Sequence, residues 1–360
     1  MLKKFNLFKG KKIVVTGHTG FKGSWLCIWL NILGADVYGI SLAPKTKFSH
    51  FKCTNLNKYI KKSYIFNIQN RKKLQKVIKD ISPDFLFHLA GQSIVKLSFS
   101  EPLNTWKTNL IGTINILESL RSLKKCTAIL ITSDKCYNNV ESSKGYKEED
   151  KLGGDDPYSA SKASAEIAIQ SYFKTYFEKT DILVCSVRAG NVIGGGDWSP
   201  DRIIPDFFKS FFGKKKMIIR SPYSIRPWQH VLDALYGYLT LCKKLYLNPK
   251  ISGNSFNFGP KKVKNYRVID IINYLNKDNF FNKKLIVFKK NKNFKETNIL
   301  KLNVEKSRVL LGWSSNLDIK KSLDITKDWF LSFNQKNYDL NYELSKSQIM
   351  YFIKKLKKND

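Results

Sequence analysis

Five short, nearly unbroken apolar runs punctuate the first half of the chain: KIVVT at 12–16, DVYGISL at 36–42, FLFHLA at 85–90, TAILIT at 127–132 and ILVCSV at 182–187. Stretches with helical spacing separate them, at 23–33, 71–80, 108–123 and 159–176. A strand with one wet face alternates apolar and polar residues; these runs do not alternate, so both faces of their sheet are covered. Strands joined through helices need crossover connections, which make neighbours parallel. Together these features predict an α/β fold built on a doubly wound parallel sheet.

The pattern changes after Arg188. A run of three glycines, 194–196, leads into segments richer in Asn and Lys. A helix at 230–241 and a strand at 255–258 read as returns to the first unit. We therefore expect a dinucleotide-binding domain over 1–190, with returns at about 228–260, interleaved with a smaller substrate-binding domain drawn mainly from 191–360. Trp25 and Trp29, four apart on the first helix, are expected in the core.

A hydrophobic fraction of 42% over 360 residues supports a substantial core and argues against disorder. No apolar run approaches the roughly 20 residues that cross a bilayer. The first ten residues lack the apolar centre of a signal peptide. The six cysteines form no CxxC pair and no cluster with the four histidines, so neither a metal site nor a disulfide framework is expected. Cys27, Cys126 and Cys185 lie in or beside apolar runs and read as small buried hydrophobes, in keeping with a reducing cytoplasm. The net charge of +34 invites a nucleic-acid reading, yet the lysines are scattered, apart from the short tail KKLKK at 354–358. A diffuse lysine-rich surface that attracts anionic small molecules accounts for it better, and no nucleic-acid partner is expected.

Two motifs carry chemistry. The first, GHTGFKG at 17–23, lies between the first strand and the first helix. Gly17, Gly20 and Gly23 permit a tight turn and let a dinucleotide diphosphate approach the helix N-terminus, with Thr19 and Phe21 beside it. The acidic residue expected some twenty positions later is missing, and no arginine replaces it, so spacing alone leaves NAD and NADP open. The second is YSASK at 158–162: Tyr158 and Lys162 share one helix face, and a neighbouring cation favours the phenolate of a general base. Ser133 closes the fourth apolar run, at the carboxyl end where such sheets present reactive groups.

Several stretches, in order, resemble the extended short-chain dehydrogenase/reductases of the NAD-dependent epimerase/dehydratase family, and within it the CDP-glucose 4,6-dehydratases. They are TGHTGFKGSWL at 16–26, TSDKCY at 132–137, YSASK at 158–162, RAGNVIGGGDW at 188–198 with DRIIPD at 201–206, and RPWQHVL at 226–232. The resemblance implies a Rossmann fold, bound NAD, CDP-glucose as substrate, a homodimer packed through the helices near 108–123 and after Tyr158, and a role in deoxysugar and surface-polysaccharide synthesis. It also implies a hydride loan. Tyr158 deprotonates the sugar 4-hydroxyl as hydride leaves C4; the ketone acidifies C5; water leaves from C6; and the hydride returns to C6.

Further roles come from the same resemblance. Asp134 stands where these enzymes place the acid that protonates the departing 6-hydroxyl. Lys135 stands where TDP-glucose relatives have Glu as the C5 base, and it either takes that proton or only holds the substrate. Asn67, Ile68, Leu89 and Ala90 fall in segments that pass the cofactor, although relatives usually carry Asp at position 67. Asn191 falls beside the substrate; Arg226, and less closely Arg202, match diphosphate contacts. Pro227 replaces an Asp common in relatives. His88 is expected to pack rather than react. A nucleotide-sugar 4-epimerase, a dehydratase for another nucleotide and, distantly, a basic nucleic-acid-binding Rossmann protein are the alternatives. An epimerase needs Tyr158 and Lys162 but has no use for the Asp134–Lys135 pair.

Overall fold

The computed structural model describes residues 2–44, 46–261, 265–277, 282, 285–289 and 298–357. The last residue of the basic tail therefore lies outside the described residues. The main sheet comprises β1 (Lys12–Thr16), β2 (Asp36–Ser41), β3 (Lys62–Ile65), β4 (Phe85–His88), β5 (Lys125–Ile131), β6 (Asp181–Ala189) and β10 (Ser255–Phe258). Two short pairs lie outside it: β7 (Val192–Ile193) with β9 (Gln229–His230), and β8 (Met217–Ile219) with β11 (Ile286–Phe288). The main order is β10-β6-β5-β4-β1-β2-β3, and every pairing is parallel.

The absence of alternation in the strands has the expected cause. In β1, Ile13 and Val15 enter one core while Val14 enters the other; in β5, Ile129 and Ile131 go one way and Ala128 and Leu130 the other. Trp25 and Trp29 of the helix Phe21–Ile32 fill the first core, together with the helix Val231–Leu247. Leu74 and Ile78 of the helix Arg71–Ile81, with Ile116, Leu117 and Ile169, fill the second. Each such buried aliphatic side chain contributes about 1.5–3 kcal/mol relative to exposure.

Element boundaries differ from the sequence reading in instructive ways. The helix expected over 108–123 begins with a π turn, Lys107–Ile111, before Gly112–Leu120, and the helix expected at 159–176 is Pro157–Tyr172 followed by a second π turn, Phe173–Phe177. Strand β3 was not anticipated, because an edge strand buries little and KSYI carries no apolar run. The short helices Val95–Ser100 and Pro102–Trp106 were also missed. At the far end, the helix Tyr338–Lys357 lies against the first helix: Phe352 meets Trp29 edge-on, and the Trp329 indole donates to Ser345. The glycine run threads beneath it. A Cβ on Gly195 would stand 2.0 Å from Cγ of Trp329, so only glycine passes there.

Glu166 ties three strands to the helix Pro157–Tyr172. Its carboxylate accepts from Thr132, from Ser186 at 2.7 Å, from Ser255 at 3.1 Å and from the Arg188 guanidinium at 2.9 Å, all buried. Burial would raise the Glu166 pKa, but Arg188 and the hydroxyl donors hold it below the usual carboxylate range. A depressed folded-state pKa adds stability above the unfolded value of about 4.3, and this is lost as pH falls through the folded value. Glu166→Ala, which strands a buried guanidinium, should cost about 3–5 kcal/mol in urea unfolding. Glu166→Gln should flatten the acid limb of the stability–pH curve; an unchanged limb would show that the pair does not titrate as described.

Candidate active site

Strand order reverses between β1 and β4, and ligands of such sheets bind outside the carboxyl ends at that point. The glycine loop sits there. Gly17 has φ +75°, and a Cβ on it would stand 2.7 Å from the Ala90 amide nitrogen; a Cβ on Gly23 would stand 2.2 Å from the Gly17 carbonyl oxygen. The turn thus presses against 89–90 on one side and against its own helix on the other. Gly20 caps the helix without a side-chain bond, leaving the first backbone amides to face outward. This arrangement fits a dinucleotide diphosphate: the glycines make room and the helix N-terminus supplies donors.

The flanking predicted residues vary in how directly they face this loop. Thr19 donates to the Leu42 carbonyl at 2.9 Å and shares a 2.8 Å bond with Ser41, so hydroxyls occupy the strand end where an acid was expected. The Asn67 side-chain oxygen accepts from the Gln69 backbone amide at 3.0 Å, and Ile68 is buried against Gly112. Leu89 lines the central cleft, and the Ala90 amide donates to the Thr16 hydroxyl at 3.2 Å. Phe21 lies against Gly194. His88 is buried, bonded to Thr16 at 2.7 Å and to Thr113 at 3.1 Å. Burial pulls its pKa down to about 3, so it is a neutral packing residue, as expected.

A cleft of about 310 Å³ brings together Ser133, Asp134, Lys135, Tyr158 and Lys162, with Asn191, Arg202 and Arg226 also on its walls. Asp156 caps the Tyr158 helix by accepting from the Ser159 amide at 2.9 Å, and Pro157 occupies the first turn. That start aims Tyr158 and Lys162 into the cleft, one turn apart. Ser133 makes the local turn after β5: its hydroxyl oxygen accepts from the Lys135 amide at 3.2 Å and its proton goes to Asp134 at 3.1 Å. Ser133, not Asp134, caps this loop. The other Asp134 oxygen is buried and has no partner among the described residues.

The electrostatics follow from burial. Asp134 is raised above the usual carboxylate range by desolvation, against the opposing pull of Lys135 and Ser133. Burial pushes the Tyr158 phenol up to about 12; a hydrogen bond with Ser133 and the charge of Arg202 oppose it, while Asp134 adds to it. Burial thus outweighs the lowering of the Tyr158 pKa that the sequence led us to expect. Lys162 is itself pulled down by burial to about 8, with Glu166 opposing.

Of the two arginines, Arg226 is buried and donates to the Ile225 carbonyl at 2.9 Å. Arg202 donates to Asp197 at 3.2 Å and to Ser93 at 3.0 Å, so protein groups already hold part of its guanidinium. Pro227 stands against Gly190, where an added Cβ would lie 2.5 Å from its ring. Two residues at the site escaped sequence reasoning. Asn109 joins Ser161, at 3.0 Å, to the Gln92 amide, at 2.8 Å, and steadies the Tyr158 helix against the loop after β4. Lys22 lines the cleft from inside the glycine motif, at a position the motif leaves unspecified.

All six cysteines are buried and unpaired, and among the described residues no helix is long and apolar enough to cross a membrane. The fold closely resembles that of UDP-glucose 4-epimerase from Thermotoga maritima, with a TM-score of 0.77 at 22% identity over 89% of this chain and 98% of that one. It also resembles dTDP-glucose 4,6-dehydratase from Bacillus anthracis, with a TM-score of 0.75 at 22% identity over 89% and 97%. In sequence, the chain is 39% identical to CDP-glucose 4,6-dehydratase of Salmonella typhimurium over 90% of its own length and 91% of that protein. It is 28% identical to dTDP-D-glucose 4,6-dehydratase of Dictyostelium discoideum over 69% and 58%. A family profile described as GDP-mannose 4,6 dehydratase matches residues 14–326, and the chain belongs to that family.

Proposed function

We propose that this protein is an NAD-dependent lyase that converts CDP-glucose to CDP-4-dehydro-6-deoxyglucose and water. One observation carries the reading beyond generic hydride chemistry: a buried carboxyl, Asp134, raised in pKa and with one oxygen unpartnered, stands in the same cleft as Ser133, Tyr158 and Lys162. The 39% identity to a CDP-glucose 4,6-dehydratase supports the choice of nucleotide. The product suits deoxysugar and surface-polysaccharide synthesis. Buried free thiols support a reducing cytoplasm, and the two-part division of the chain remains our reading of its domains.

NAD fits the loop of Gly17, Gly20 and Gly23, and when bound it supplies a hydride acceptor that gives the hydride back. Thr19, Phe21, Asn67, Ile68, Leu89 and Ala90 are assigned to its walls. The protein's own groups move the protons. Tyr158, steadied by Ser133 and Lys162, takes the proton of the 4-hydroxyl; the resulting 4-ketone acidifies C5. Lys135 takes the C5 proton, and Asp134 gives its proton to the 6-hydroxyl, which leaves as water. Lys135 then returns a proton to C5. The proton gained by Tyr158 balances the one given by Asp134, so a single transfer through solvent resets the site. Asn191, Arg202 and Arg226 hold the substrate, with the guanidinium groups on the diphosphate.

Purified protein offered CDP-, TDP-, UDP- and GDP-sugars should give 4-keto absorbance in alkali with CDP-glucose; a C4 epimer instead would overturn the reading. Tyr158→Phe should lower turnover by about 10²–10⁴-fold while CDP binding holds. Asp134→Asn should do likewise, because an amide cannot protonate the leaving hydroxyl. In Lys135→Met, solvent deuterium should no longer enter C5; normal entry would assign that step elsewhere.

A homodimer is part of the same proposal. Leu103, Ile111, Ile167 and Tyr176 stay exposed on the helical segments around the Tyr158 helix, as a face for a second copy would require. Light scattering should give twice the chain mass, and Ile167→Glu should shift it toward monomer; a wild-type monomer at high concentration would rule the dimer out.

A further inference from the structure

The cleft carries seven basic side chains and four carboxylates. Three of the carboxylates are engaged with other cations. Asp197 faces Arg202 at 3.2 Å, Asp201 holds Arg220 at 2.7 Å and Lys96 at 3.1 Å, and Asp206 faces Lys209 at 3.7 Å. The fourth, Asp134, is raised in pKa by burial. Among the described residues Lys22, like Lys135 and Lys162, has no carboxylate within ion-pair distance; of these three, Lys22 alone belongs to the glycine motif. It extends from the first turn of the helix that follows the glycine loop, between Gly20 and Gly23. Arg202, Lys162 and Asp134 line the same cleft, and the Tyr238 ring lies 5.9 Å from the Lys22 Nζ.

An amine set among cations, at a helix end that already favours anions, calls for a negatively charged ligand. We propose that Lys22 is a diphosphate-recognising residue of this cleft, its ammonium ion meeting the phosphate oxygens of a bound nucleotide. Both nucleotides of the proposed reaction carry a diphosphate, so the inference rests on that reading for its ligands. Proton uptake follows as a consequence. Burial, then Arg202 and Lys162, pull the amine down to about 7, with only Asp134 opposing. Just above neutral pH much of it is uncharged, and an incoming diphosphate, which stabilises the ammonium, draws a proton from solvent.

Calorimetry just above neutral pH, in two buffers of different ionisation enthalpy, tests this with ADP-ribose and with CDP; adenosine and cytidine are the phosphate-free controls. The wild type should take up a fraction of a proton with at least one of the two diphosphates. Lys22→Met should abolish that uptake and weaken the same ligand about tenfold, the value of one charge-assisted hydrogen bond, with nucleoside binding unchanged. Weakening of ADP-ribose alone assigns Lys22 to the dinucleotide, and of CDP alone to the sugar nucleotide. Lys22→Arg, permanently charged, should restore affinity without proton uptake, which also guards against a misfolded Met variant. Equal binding by wild type and Lys22→Met, or an equal loss for nucleosides, would overturn the inference. A wild type that binds neither diphosphate would instead count against the proposed function.

Discussion

Everything at this site is referred to one buried ion pair. Arg188 comes from β6 and Glu166 from the turn after Lys162, and the pair is closed by Thr132 just past β5, Ser186 on β6 and Ser255 on β10. Arg188 also donates to the Tyr137 hydroxyl, which in turn donates to Asn257. A buried pair of this kind adds little net stability compared with an apolar filling, but breaking one half of it is costly. Its value here is positional. Thr132 precedes Ser133 and Asp134, and Glu166 follows Lys162 by one turn, so the same carboxylate sets the height of the helix against the end of β5.

That placement explains how opposite proton affinities coexist in one cleft. Asp134, Tyr158 and Lys162 are all desolvated, and desolvation moves each toward its neutral form. A neutral carboxylic acid is ready to give a proton; a neutral phenol must lose one before it can act. The helpers of Tyr158 are Ser133 and Arg202 as well as whatever positive charge a ligand brings.

The sheet was legible because β1, β4 and β5 are largely apolar on both faces, a pattern few other folds need. KIVVT and SFNF coincide with their strands to the residue. The edge strand at Lys62–Ile65 escaped because partial exposure removes that signal. Ser133, Tyr158 and Lys162 could be found from spacing, since one helix face and one strand end bring them together. Lys135, Arg202 and Arg226 came from resemblance, and the structure adds that Arg202 is already bonded to Asp197. Lys22 and Asn109 were out of reach: the first hides at a free position of a glycine motif, and the second acts through partners far away in the chain.

The outer face of the first helix is closed by the last one. The Tyr342 hydroxyl donates to Asn31 across 311 positions and Phe352 meets Trp29 edge-on, while His50, after β2, bonds to Ser345 across 295. A ribosome adding about 5–20 residues per second therefore leaves that face bare for some tens of seconds. During this interval Trp29, which Phe352 later covers, is open to whatever apolar surface it meets. The helix Tyr338–Lys357 thus decides when the first helix stops offering an open apolar face.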